Sequence, residues 1–90
     1  MELKELKSLR VLKLSCCIKV TDEGLGELVT LPYLRSVDVS MCVKVTDRGV
    51  GHLCNINSLK FIDVHGCAGV TKTWPSLFPF ITFKFHSLNR

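Results

Sequence analysis

The chain has no clustered run of lysine or arginine, no long apolar stretch and no cysteine pair at C-x-x-C spacing. Each absence removes a class of function. The 12 basic residues are dispersed among Glu2, Glu5, Asp22, Glu23, Glu27, Asp38, Asp47 and Asp63, and the net charge is only +4. Without a basic stripe there is no electrostatic footprint for nucleic acid. The most apolar segment, Trp74 to Phe83, is interrupted by Pro75 and Pro79 and falls far short of the roughly 20 residues that span a bilayer. No membrane association is expected. Met1 leads into the charged segment Glu2 to Lys7 with no apolar signal core, so no secretory signal is expected from these residues. The five cysteines are odd in number, and the closest two, Cys16 and Cys17, are adjacent. Neither a disulfide framework nor a zinc site is built that way. The expected compartment is reducing, cytoplasmic or nuclear. Glycine-rich phosphate loops and clustered carboxylate pairs are also missing, so no cofactor, no metal, no small-molecule substrate and no enzymatic activity are expected.

What is present is a repeat. Leu9, Leu34 and Leu59 stand 25 residues apart, and Leu12/Val37/Ile62 and Leu14/Val39/Val64 follow in step. Cys17/Cys42/Cys67, Val20/Val45/Val70 and Thr21/Thr46/Thr71 continue the frame, with Asp22/Asp47, Gly24/Gly49, Leu28/Leu53 and Leu31/Ile56 behind them. A period of roughly 20 to 50 residues marks a solenoid, whose units bury their apolar faces against neighbours. With 90 residues and 47% hydrophobic content, the chain is one small folded domain near the lower limit for a stable core.

Within one unit, Leu12 and Leu14 point to one side of a strand while Val11, Lys13 and Ser15 point to the other. β-Branched residues at Val37, Val39, Ile62 and Val64 strengthen the same reading. Strands are expected near residues 11–15, 36–40 and 61–65. Thr21 and Thr46 read as helix N-caps, with Asp22 and Asp47 at the positive end of the dipole. Leu25, Leu28 and Leu31, and then Val50, Leu53 and Ile56, form the apolar stripe of each short helix, and Pro32 helps to end the first.

A strand, a turn and a short helix in 25 residues resemble the leucine-rich repeat family, in its cysteine-containing subtype, as in F-box/leucine-rich repeat proteins. Leu9, Leu12, Leu14, Cys17, Val20, Thr21, Asp22, Gly24, Leu25 and Leu28, with their counterparts from Leu34 to Leu53, carry the resemblance. The implied fold is an α/β solenoid of about three strand–helix repeats, with a parallel sheet on its concave side and incomplete ends. Residues 1–8 are expected to be the tail of a preceding repeat helix, since Leu3 and Leu6 precede Leu28 and Leu31 by one period. Repeats then cover 9–33, 34–58 and 59–83, and 84–90 form an irregular tail. The third repeat degenerates after 71, because Lys72, Trp74 and Pro75 replace Asp22/Asp47, Gly24/Gly49 and Leu25/Val50. Phe78 and Ile81 still fall on helix columns, while Phe83 to His86 reads as a possible strand out of register. The chain is expected to be a piece of a longer solenoid or a truncated gene product.

The cysteine column admits a metal or reactive-thiol reading, but the missing ligand spacing favours buried packing for all three, and for Cys54 on the helix. His65 lies two residues before Cys67, yet alternation places it on the open sheet face, away from the thiol. His52 reads as a helix-surface residue. The outward rows Val11/Ser36/Phe61, Lys13/Asp38/Asp63 and Ser15/Ser40/His65, flanked by Arg10/Arg35/Lys60, are free of core duty. Arg10, Lys13, Arg35, Asp38, Lys60, Phe61, Asp63 and His65 are the candidate partner-binding residues. Phe61 either anchors an interface or covers the sheet end. The resemblance implies a protein–protein interaction module for substrate recognition or scaffolding, linked to substrate capture by an SCF-type ubiquitin ligase. The alternative it implies is a regulatory segment that binds an enzyme such as a GTPase or adenylate cyclase.

Overall fold

The computed structural model describes residues 7–85, and the expected helix tail and terminal segment fall mostly outside them, at 1–6 and 86–90. Four strands, β1 (Val11–Lys13), β2 (Ser36–Asp38), β3 (Phe61–Asp63) and β4 (Thr82–Lys84), form one parallel sheet in the order β1-β2-β3-β4. Between them run α1 (Asp22–Gly26), continued by a 3-10 turn over Glu27–Thr30, then α2 (Asp47–Cys54) and α3 (Trp74–Leu77). Val11 pairs with Ser36 and Ser36 with Phe61, so the first two register steps keep the 25-residue period.

Helices α1 and α2 start where capping chemistry places them, whereas α3 has no side-chain cap. The Thr21 hydroxyl accepts from the Gly24 N–H at 3.3 Å, and the Thr46 hydroxyl accepts from the Arg48 N–H at 3.3 Å. Each threonine thereby satisfies one of the N–H groups that a helix start leaves open. Inward side chains of strand and helix then close the core: Val37, Val39, Cys42, Val45, Val50 and Leu53 are all fully buried. At about 25 cal/mol per Å2, each such aliphatic side chain contributes roughly 1.5–3 kcal/mol.

Three sets of bonds tie each unit to the next. Backbone bonds pair the strands: Leu14 N–H donates to the Asp38 carbonyl at 2.7 Å and Val39 N–H to the Asp63 carbonyl at 2.9 Å. The cysteine column makes a second set, in which the Cys42 thiol donates to the Leu14 carbonyl and the Cys67 thiol to the Val39 carbonyl, both at 3.0 Å. The third set uses the aspartates. Asp22 accepts from the Thr46 N–H at 2.8 Å and from its hydroxyl at 2.5 Å. Asp47 accepts from the Thr71 N–H at 2.9 Å. The helix-start aspartate therefore reaches forward 24 residues, beyond the local dipole role that its position suggests.

Two expectations are corrected. Cys42 and Cys67 are buried, but Cys17 is exposed. Each thiol is covered by the strand of the unit before it, and no described strand lies ahead of Cys17. The second correction concerns the last interval. Phe61 pairs with Thr82, so the step from β3 to β4 is 21 residues. Lys84 lies in a strand instead of opening an irregular tail, in keeping with the alternative reading of a strand out of register from Phe83. The helix columns hold, since Ile81 donates to the Phe78 carbonyl as Ile56 does to Leu53 and Leu31 to Leu28. What is missing is the return connection. Four residues separate Leu31 from Ser36 and Ile56 from Phe61, whereas Ile81 is followed at once by Thr82.

Candidate functional site

The outward face of the sheet is built from ladders, because parallel register sets equivalent residues side by side at about 4.8 Å. The first is Val11/Ser36/Phe61/Thr82 and the second Lys13/Asp38/Asp63/Lys84. Arg10, Arg35 and Lys60, all exposed, precede the strands as a row of cations. Their backbones are chained, with Arg35 N–H donating to the Arg10 carbonyl and Lys60 N–H to the Arg35 carbonyl, both at 2.8 Å.

The second ladder alternates as cation, anion, anion, cation. Two neighbouring carboxylates on adjacent strands repel, and the local structure offsets this. Asp38 accepts from the Ser40 N–H at 2.9 Å, and Asp63 from the His65 N–H at 3.0 Å. The Lys84 ammonium lies 3.8 Å from Asp63, and the His65 Nδ1 lies 3.8 Å from its other oxygen. Asp63 is consequently buried, at 7% exposure. Its expected role as an outward charge gives way to one as the pin of the strand end, because β4 covers it. Asp38 is half-buried and has no ion-pair partner among the described residues.

Of the remaining candidates, Lys13 is exposed, and Phe61 and His65 are half-buried. Phe61 is flanked by Thr82 on β4, so it lies within the sheet instead of at its edge. The buried Nδ1 of His65 finds no hydrogen-bond partner among the described residues. Ser40, grouped with the outward row by alternation, is buried at 6% exposure. Residues that the repeat pattern did not single out also shape the face. Arg10 sits 5.6 Å above the Tyr33 ring, a cation–π contact that orients its head group. Lys84 and Thr82 enter through the shortened third unit, for which the 25-residue frame carries no signal.

The cysteines are placed for packing. Burial pushes the Cys42 and Cys67 thiols up, outweighing the hydrogen bonds that favour their thiolates, and burial drives Cys54 up to about 11. A raised thiol is a poor nucleophile. His65 faces Asp63, while Cys67 bonds to the Val39 carbonyl, so the two do not form a catalytic pair. Among the described residues, no three or more His, Cys, Asp and Glu side chains gather as a metal site, and no helix is long and apolar enough to cross a membrane.

Residues 5–29 and 30–54 each match the family model described as Leucine Rich repeat. No curated protein matches the chain.

Proposed function

We propose, from the premise that this chain belongs to the leucine-rich repeat family, that it is a protein–protein interaction module whose concave sheet face receives the partner. The observation that carries this reading is the charge pattern of the face. A cation row at Arg10, Arg35 and Lys60 runs beside a ladder in which Asp38 stands without an ion-pair partner among the described residues. Lys13 and the half-buried Phe61 border it. A partner segment that sets carboxylates against the cation row and a cation against Asp38 is complementary to it. Such patterns steer association and fix register, and a nearby aromatic supplies the contact energy.

The finer reading is substrate recognition or scaffolding of the kind served by F-box proteins. It is supported by the cysteine column, in which the Cys42 and Cys67 thiols bond back to the unit before them. The four strands give a sheet only about 14 Å across between its outer strands. A standard interface takes about 800 Å2 from each partner, so this face holds one segment of a larger partner. The test is affinity capture with Arg35→Glu and Asp38→Lys, singly and together. Each charge reversal is expected to weaken capture of the same partner, more so at low salt, with unchanged circular dichroism. Undiminished capture by the double variant would place recognition elsewhere.

A further inference from the structure

The shortened third unit leaves a groove at the opposite side of β3 from the turn that carries Cys67. It has a volume of about 440 Å3 and lies between the return connection of the second unit, Asn57 to Lys60, and residues Leu77 to Ile81. Its apolar walls include Ile56, Leu59 and Phe78, and two large side chains at its rim are left to solvent, Leu77 at 62% and Phe80 at 85% exposure.

The molecule itself shows what fits beside such a connection. In the second unit, the segment Ile56-Asn57-Ser58-Leu59 is laid against the first unit's Leu31-Pro32-Tyr33-Leu34. Leu34 and Leu59 are both buried, and the Ser58 hydroxyl donates to the Leu34 carbonyl at 2.6 Å. The third unit supplies no equivalent segment, because its chain passes directly from Ile81 into β4. The Leu59 carbonyl, counterpart of the Leu34 carbonyl, accordingly has no donor among the described residues.

We propose that this groove is a second docking site, and that its occupant is a short extended segment of a partner protein with the pattern x–Ser–Leu, the apolar column before it being filled by the chain's own Ile81. The leucine packs on Leu77 and Phe80, whose side chains stand exposed at the rim, and the serine hydroxyl donates to the Leu59 carbonyl as Ser58 does to Leu34. The exposed ammonium of Lys60 lies at the groove's edge, so an acidic residue after the leucine pairs with it, where the chain's own basic residue would repel it. The site shares Lys60 with the cation row of the concave face but involves neither Arg35 nor Asp38, so the variants that test that face leave the groove intact.

The experiment is a titration of the full 90-residue chain, isotope-labelled for NMR, with the end-blocked peptide Asn-Ser-Leu-Asp. Saturable shifts are expected in the amides of Asn57, Lys60 and Phe80, with Arg35 and Asp38 unmoved. Replacing the peptide's leucine by aspartate removes the burial of one aliphatic side chain and should weaken binding by about tenfold or more. Phe80→Asp should abolish the shifts, and Leu77→Asp provides a second variant at an exposed position. The absence of saturable shifts would overturn the proposal, as would equal binding of the aspartate peptide or shifts confined to the concave face. Shifts of the same amides on concentrating the chain without peptide would assign the groove to a second copy, which also overturns it.

Discussion

At the scale of single residues, one column of the repeat separates into opposite cases. Gly24 and Gly49 occupy equivalent positions, but a Cβ on Gly24 would meet nothing nearer than the Thr21 hydroxyl at 3.8 Å. On Gly49 it would lie 2.4 Å from Asp22 Oδ1, 3.0 Å from Leu25 and 3.2 Å from the Asp22 backbone. Gly49 lets α2 approach α1 closely while Asp22 holds Thr46. Gly24→Ala should therefore stabilise by about 0.5–1 kcal/mol through helix propensity, whereas Gly49→Ala should destabilise by about 1–3 kcal/mol. Thermal melts of the two variants decide this, and like signs would contradict it.

The titrating residues set both ends of the stability profile. Burial opposes the charged form of Asp47, but the Trp74 indole N–H at 2.7 Å and the Thr71 donors outweigh it and hold the carboxyl below its ordinary value of 3.8. A folded-state value lower than the unfolded one contributes stability above the unfolded value and loses it as pH falls through the folded value. Asp47→Asn should flatten the acid limb below about pH 4. For the thiols the sign reverses. Cys54 is raised from 9.0 to about 11, so its contribution is complete below 9 and disappears as pH rises through the folded value. Urea midpoints should fall over that alkaline window, and Cys54→Ala should make the fall shallower. With a thiol reagent at pH 8, the exposed Cys16 and Cys17 should react quickly and Cys42, Cys54 and Cys67 slowly, their rates following exposure and raised pKa.

At the scale of elements, the turns after the strands share a second column that composition does not reveal. Cys16, Met41 and Gly66 all adopt positive φ, at 62°, 61° and 79°. Only glycine does so without cost, which is about 1–2 kcal/mol for other residues, so the first two turns are held by their surroundings. The helix starts were legible because Thr21 and Thr46 cap through local chemistry. The Asp22–Thr46 bond was not, since it joins residues 24 apart whose meeting depends on how the units stack. The same holds for Asp63. Its outward position follows from alternation, but its burial follows from Lys84 and β4, which the 25-residue frame misplaces by four residues. Restoring that frame is itself a test. Inserting Asn-Ser-Leu-Lys between Ile81 and Thr82 should bury one more leucine against the exposed Leu77 and Phe80 and raise the melting temperature. Lengthening a loop costs only about 0.6 kcal/mol per doubling, against roughly 1.5–3 kcal/mol for the side chain. An unchanged or lower melting temperature would show that the third unit closes in another way.

At the scale of the whole molecule, stability comes from contacts between units, and no unit has a core of its own. Leu9, Leu12, Leu14 and Val20 of the first unit remain half-buried, while their counterparts Leu34, Val37, Val39 and Val45 are fully buried. The inner strands β2 and β3 of the sheet carry Asp38 and Phe61, with Arg35 and Lys60 just before them, and Arg10 and Lys13 lie at the edge strand β1. The account depends on the units being bound edge to edge in parallel, and native-state amide hydrogen exchange tests that most directly. Opening free energies in such a stack should be highest at the amides bonded between inner units, Val39 to Asp63, Lys60 to Arg35 and Met41 to His65. They should fall toward the amides of α3 and the turn before β1. Val39, Met41 and Lys60 exchanging together near the global unfolding free energy is the predicted result. Exchange of these three as fast as the turn at Lys7 and Ser8 would contradict the stacked architecture and the interaction face built on it.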